Sequence, residues 1–502
     1  MRRLFASTGL IPILLFSLLG FLAMGYHPGA EDDGVYLTAV KAGLNPALYP
    51  HDGEFFRVQM RASVFDNWMA AFVRATGIPL VWSELLWQAI SIVGIVWACW
   101  SIVCRLFDDA PARWSGIAML GAMLTLPVAG TALYIADQCL HPRNPATALI
   151  LLAVARILAG RRWQAAPLLL VAVLLHPLMG AFGVSFCCVL MLVLAEPMHR
   201  KFRTWRSRSA GSQTGVAYRA AMLVPFGWLF ARPSPAWVNA METRHWFRLY
   251  SWTWYEWLGV IGPLVLFFVV ASAARRRGQT TLARFAIAVL IYGVLQQAFA
   301  MIVLAPRRWI VFSTLEPMRY LQLVYVFMAL IGGAYLGQFV LKTRAWRWAL
   351  FLIVAYGAMF GVQRHLFAAS DDLELPGRAP ANPWLQAFAW IRANTPQDAY
   401  FALDPRYQDA TGEDYHSFRA LAERSALADA IKDTSVLSKA PELVPVWKAQ
   451  VDAQQGWNRF GPADFARLKR EFGVDWILVR NPQSTALPCP WHNAELAVCR
   501  IP

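Results

Sequence analysis

The stretch Gly25–Phe56, GYHPGAEDDGVYLTAVKAGLNPALYPHDGEFF, places five carboxylates and two histidines between two of the most apolar regions of the chain. Upstream, Met1–Met24 has the paired arginines and apolar centre of a signal peptide but no convincing small-residue cleavage site. It reads as a retained first span. Downstream, apolar runs recur to Val362. The acidic stretch is therefore the first loop outside the membrane, covering residues 25–76, and its acids sit where a membrane enzyme would meet a polar head group.

The rest of the composition agrees. Of 502 residues 57% are apolar and only 15% charged, with 23 Trp and 30 Phe, more apolar surface than a soluble domain of this size keeps in solution. The net charge of +15 falls in short clusters between apolar runs, at Arg2-Arg3, Arg161-Arg162, Arg200 to Arg208, Arg275 to Arg277 and Lys342 to Arg347. Such clusters set topology and argue against a nucleic-acid partner.

A crossing takes about 20 apolar residues for a hydrocarbon core of about 30 Å. By that measure there are about eleven candidate spans, near Leu10–Met24, Ile78–Val103, Trp114–Ile135, Pro145–Leu158, Ala165–His176, Leu178–Ala195, Ala217–Phe230, Trp257–Ala274, Leu282–Leu304, Met318–Leu341 and Trp346–Val362. From 145 to 195 the apolar segments are short, and Pro167 and Pro177 interrupt them. With the basic clusters cytoplasmic, the N-terminus is inside and an odd number of spans puts the C-terminus outside, in a bacterial inner membrane. The outer polar segments are then Gly25–Thr76, Ala136–Asn144, Ala231–Glu256 and Ala305–Pro317. The tryptophans of the third, Trp237, Trp246, Trp252, Trp254 and Trp257, read as an interfacial belt.

After Val362 the chain becomes more polar, broken by LPGRAPANP. Residues 363–502 read as a small extracytoplasmic α/β domain, with helical patterns at Trp384–Asn394 and Ala463–Phe472 and strand-like runs at Tyr400–Leu403 and Trp476–Val479. The expected fold is thus an α-helical polytopic membrane unit, residues 1–362, carrying that domain. Five cysteines lie in or near apolar runs without zinc-ligand spacing, whereas Cys489 and Cys499 flank a polar segment and would close a hairpin in an oxidising compartment. There is no Walker loop, GxGxxG fingerprint or GxSxG elbow.

Glu31, Asp32 and Asp33 precede VYLTAVKAGL, an amphipathic pattern expected to lie along the membrane surface. One acid would serve as a helix cap. Three adjacent carboxylates need a cation, a basic side chain or a raised pKa to coexist, so at least one reads as functional. His51, Asp52 and Glu54, followed by Arg57 and Arg61, would bind a phosphate, position a sugar or lie solvated on head groups; a divalent cation is a candidate cofactor there, although HxDxE is a weak metal signal. ADQCLHPRNP returns Asp137, His141 and Arg143 to the same level, as anchors or ligands. His176 is a core histidine or a phosphate ligand, and Glu316 and Arg319 in TLEPMRYLQL pair structurally or hold an anionic head group.

Together GYHPGAEDDGVYL, LYPHDGEFF, the Asp137–Arg143 loop, LHPLM and FGVDWILV resemble an uncharacterised bacterial branch of the GT-C superfamily of integral-membrane glycosyltransferases, over nearly the full chain. The resemblance implies a polyprenyl-phosphate-linked sugar as donor, a membrane lipid environment, and a glycan, lipid or protein acceptor. It also implies inversion at the anomeric carbon, with an Asp of the first outer loop as general base. Asp32 is the first choice, Asp33 the second, and Glu31 a support. Arg143 and Arg319, with His176 behind them, would assist the leaving phosphate. The rival readings are a transporter or lipid flippase, for which repeated halves and midplane charges are lacking, and a noncatalytic envelope factor.

Overall fold

The computed structural model describes residues 9–195, 233–242, 244, 248–304, 307–480 and 487–502. The basic clusters at Arg2 and Arg200, the Ala217–Phe230 run, Trp246 and Ala305 lie outside them.

Among the described residues six helices are long and apolar enough to cross a membrane: Leu80–Leu106, Pro177–Leu194, Trp254–Arg276, Thr280–Leu304, Trp309–Leu341 and Ala345–Leu366. Leu10–Met24 and Arg162–Leu175 are shorter apolar helices. Several of these helices turn large apolar side chains outward, as at Leu14, Leu18, Phe268, Ile302, Ile353 and Val354. Such bands are far larger than a protein surrounded by water exposes; lipid is their solvent.

One expected span is different. Instead of continuing to Ile135, the helix that begins at Ala110 ends at Ala122, and the chain makes a hairpin of β1, Pro127–Val128, and β2, Leu133–Tyr134. Pro127 cannot donate a helical hydrogen bond and Gly130 takes a φ of +57°, so composition alone marked a span where backbone chemistry makes a turn. The helices pack closely where small residues meet. A Cβ on Gly333 would lie 2.7 Å from the Ser115 carbonyl oxygen and 2.5 Å from the Met119 Cβ, the small-residue contact by which helices approach in lipid.

The C-terminal region holds a five-stranded sheet of β3, Tyr400–Ala402; β4, Ser425–Ala426; β5, Trp476–Arg480; β6, Trp491–His492; and β7, Leu496–Arg500. The order is β4-β3-β5-β7-β6, with β3 parallel to β4 and β5, and β7 antiparallel to β5 and β6. The expected helices are present at Pro383–Asn394 and Pro462–Phe472. One face buries Phe388, Phe401, Leu478 and Val498, the other Tyr400, Phe465, Ile477 and Cys499. Cys489 and Cys499 form the disulfide that their spacing proposed.

This region docks directly on the first loop. Phe55, Trp237, Met241 and Val311 form one apolar cluster with Ala428, Leu437, Val444 and Val451, and the Trp237 indole N–H donates to the Leu437 carbonyl at 2.9 Å. Trp237 and Trp252 are therefore buried, while Trp254 is exposed, so the expected belt holds only in part. The Asp33–Leu44 helix is not a surface helix either. It buries Tyr36, Leu37, Val40 and Lys41 among others, and the Lys41 ammonium donates to the Ala420 carbonyl and to Glu423, each at 2.7 Å. Gly34 permits this approach, because a Cβ there would meet the Ser417 Cβ at 2.3 Å.

Candidate functional site

Backbone pairing positions the acid motif. Tyr26 donates its N–H to the Asp372 carbonyl and accepts from the Glu374 N–H, both at 2.9 Å. Further on, Glu31 donates to the Tyr415 carbonyl and Gly29 accepts from the Ser417 N–H, again at 2.9 Å. The segment from Tyr26 to Glu31 is thus held between residues 372–374 and 415–417, two pieces of chain far away in sequence. Glu31 itself takes a φ of +53°, an arrangement that costs a non-glycine residue about 1–3 kcal/mol and that clusters at functional sites. Asp52 and Glu316 share this feature, at +56° and +42°.

The three acids then separate in role. Asp33 points inward, 1% exposed, with its carboxylate accepting the Gly29 N–H at 2.6 Å. Burial pushes its carboxyl up, the Gly29 hydrogen bond opposes this, and Asp137 adds to the rise. Glu31 and Asp32 hold the Lys432 ammonium, 2.5 Å from Glu31 and 3.2 Å from Asp32, and Lys432 lines a recess with Thr38, Ser417 and Arg419. Asp32 keeps 39% of its side-chain surface accessible, so its carboxylate can be reached from outside the protein. Enclosure alone would raise its pKa, but Lys432, His141, Arg143 and Arg319 outweigh that and hold it well below the usual carboxylate range. Arg244 and Lys439 also lie within electrostatic reach of Asp32.

The opposite wall comes from residues 136–144. Arg143 clasps Asp137 in a fork, Nε to Oδ2 at 2.9 Å and Nη2 to Oδ1 at 2.6 Å, and its Nη1 is buried without a hydrogen-bond partner among the described residues. Asn144 and Gln88 lock the loop. The Asn144 amide donates to Gln88 at 3.0 Å and to the carbonyls of Asp137 and Cys139 at 3.1 Å, and Gln88 donates to the Asp137 carbonyl at 2.7 Å. His141 packs edge-on to Tyr36, with centroids 4.7 Å apart, and 5.7 Å from the ring of His176. Burial, with Arg143 and His176 nearby, drives the His141 pKa well down. His176 caps the Pro177–Leu194 helix, accepting the Met179 N–H at Nδ1. Glu316 and Arg319 pair at 2.8 Å and line a hollow with Thr131 and Ser313.

Of the residues singled out in the sequence, Glu31, Asp32, Asp137, Arg143, His176 and Arg319 thus belong to one neighbourhood, and Glu316 joins it through Arg319. The second half of the first loop does not. His51 stacks on Tyr400 with centroids 4.4 Å apart. Asp52 accepts from the Tyr400 hydroxyl and, at 3.0 Å, from Gln450, so both fasten the loop to the C-terminal region. Glu54 and Arg61 are exposed and pair loosely at 3.9 Å. No ligating cluster for a divalent cation forms around HxDxE among the described residues.

The sequence reading missed Lys432, Lys439, Arg244 and Asp66. Asp66 opens the Phe65–Thr76 helix, is fully buried, and has no hydrogen-bond partner for either oxygen among the described residues. Burial, only partly offset by Lys439 and reinforced by Asp33, raises its pKa to about 7. A carboxyl that holds its proton more tightly folded than unfolded favours the native state below pH about 4, and this contribution is lost as pH rises through about 7. Asp66→Asn mimics the protonated acid, so it should raise stability at pH 8 by on the order of a few kcal/mol and leave stability at pH 4 nearly unchanged. Unfolding in detergent at the two pH values measures this; equal effects at both would refute the assignment.

With the geometry in hand, comparison with solved structures finds loose likenesses. The chain is similar to a solved structure, the apo form of the Archaeoglobus fulgidus oligosaccharyltransferase. Identity is 11% and the TM-score 0.38, over 94% of this chain and 69% of that one. A likeness this loose fixes neither fold nor chemistry here. No family model matches the chain, and no curated protein matches it.

Proposed function

We propose that the protein is an integral-membrane glycosyltransferase that moves a sugar from a polyprenyl-phosphate donor to a hydroxyl of a glycan, lipid or protein acceptor on the extracytoplasmic side of a bacterial inner membrane. The observation that carries this reading is the accessible Asp32 carboxylate set among Lys432, Arg143, Arg319 and His141 beside lipid-facing helices. One base facing several fixed cations is what transfer from a phosphate leaving group needs. The acceptor oxygen forms a bond to the anomeric carbon as the carbon–oxygen bond to phosphate breaks. The hydroxyl proton passes to Asp32, and the phosphate leaves as an anion held by Arg143 and Arg319. Attack opposite the leaving group inverts the anomeric carbon.

The same cations make free Asp32 a weak base. A bound phosphate neutralises them, so the donor itself restores basicity to Asp32 at the moment it is used. Asp33 is too buried to reach a hydroxyl and acts by fixing the Gly29 turn, with Glu31 holding Lys432. Proteoliposomes supplied with a radiolabelled polyprenyl-phosphate sugar test the reading. Protein-dependent release of polyprenyl phosphate is expected, and Arg319→Gln should raise the donor KM about 10-fold or more, the loss of one charge-assisted contact of about 1.5–3 kcal/mol. Absence of turnover with every polyprenyl-phosphate sugar tried, in folded protein, would reject it.

A further inference from the structure

Outside the recess, three side chains from three separated parts of the chain meet: His27 of the first loop, Glu374 beyond the last apolar helix, and His416 of the C-terminal region. His27 Nδ1 lies 3.2 Å from Glu374 Oε1 and His416 Nε2 lies 3.0 Å from Oε2. The ligand atoms of the three are all within 4.8 Å of one another. The imidazoles are 1% and 0% exposed.

Proton placement makes this more than a polar contact. His416 Nδ1 faces the Glu413 carbonyl at 3.1 Å; a carbonyl only accepts, so Nδ1 carries the hydrogen and a neutral ring has its lone pair at Nε2. That lone pair points at a carboxylate oxygen. Such a face-off is resolved by a second proton on the ring or by a cation between the two groups. An imidazole with its far N–H on a backbone carbonyl is the way metal-ligating histidines are oriented.

His27 meets the other oxygen of Glu374. Its ring is fixed by stacking on Phe367 with centroids 3.8 Å apart, and Nε2 is buried without a partner among the described residues. Asp372, whose Oδ1 is likewise buried and unpartnered among them, is within electrostatic reach of His27. Nδ1 is the ring nitrogen that faces Glu374, at 3.2 Å.

We propose that His27, Glu374 and His416 form a binding site for one divalent transition ion of the zinc class. Two imidazole nitrogens and one carboxylate suit such an ion better than magnesium or calcium, which take oxygen ligands. Metal–ligand bonds of about 2.0–2.2 Å put neighbouring ligand atoms at about the two close separations seen here, and the pair of nitrogens draws together on binding. The site clamps the three chain segments whose backbones pair around the acid motif.

Full-length protein, purified in detergent and stripped with a chelator, provides the test, with Co²⁺ and Zn²⁺ as probes. Uptake of one Co²⁺ per chain is expected, with visible absorption bands from nitrogen and oxygen ligation that Zn²⁺ displaces. His27→Gln and Glu374→Gln should each weaken Zn²⁺ binding at least about 10-fold, while Asp32→Asn leaves it intact. His416→Ala should do the same as the first two, and His27→Gln serves if that chain does not fold. No Co²⁺ uptake by the wild-type chain would overturn the proposal in favour of a protonated His416 paired with Glu374. Binding that survives both His27→Gln and Glu374→Gln but fails in Asp32→Asn would overturn it by placing the ion at the acid motif.

Discussion

Asp32→Asn is expected to lower sugar transfer by about 10²–10⁴-fold, the usual contribution of a positioned general base, while leaving equilibrium binding of the polyprenyl-phosphate donor within a few-fold of wild type. The substitution keeps the size of the side chain, and Lys432 retains Glu31 at 2.5 Å, so the recess has no reason to collapse. The split matters. Substituting a residue that served only to hold the donor would weaken donor affinity and leave transfer at saturating donor unchanged. Single-turnover transfer measured beside donor binding separates the two. Full transfer by Asp32→Asn would end the base assignment. In the donor-free protein the depressed Asp32 carboxyl stays ionised through the usual carboxylate range, so any change in donor affinity between pH 5 and 7 must come from another group.

The second large effect is on stability. Asp137→Ala is expected to destabilise the fold by about 3–5 kcal/mol, because it leaves the Arg143 guanidinium buried and unpaired. Arg143 is 3% exposed and makes both of its charged contacts to Asp137. Substituting both together, Asp137→Asn with Arg143→Gln, should cost less than Asp137→Ala alone, since no uncompensated charge remains. Denaturant titration in detergent gives both values. A single-substitution cost under about 1 kcal/mol would mean that the pair is as solvated as a surface ion pair.

Much of the helical framework was legible because a span identifies itself by local composition. Leu80–Leu106, Trp254–Arg276 and Thr280–Leu304 are apolar whatever surrounds them. The Pro127–Tyr134 hairpin was not, since its residues are as apolar as a helix and only Pro127 and Gly130 mark the turn. The site was half legible for the same reason. Asp32, Asp137, Arg143, Glu316 and Arg319 stand out as charges between apolar runs. Lys432 and Lys439 are basic residues in a polar region, and nothing local distinguishes them from solvated lysines. Lys432 meets Asp32 across 400 residues of sequence, a relation that no spacing rule expresses. Asp66 was hidden by its amphipathic helix, where an acid reads as surface until its burial is seen.

That long separation also has a consequence in time. The Tyr26–Glu31 segment is among the first polar pieces of the chain to be made, yet its backbone partners are Asp372, Glu374, Tyr415 and Ser417. During synthesis the early spans enter the membrane while the acid motif waits without its flanking segments and without Lys432. The recess comes into being only when the last quarter of the protein emerges and docks. A chain interrupted before that point would carry the acid motif without Lys432 and without its backbone partners, so the surroundings of Asp32 are completed in a single late step of assembly.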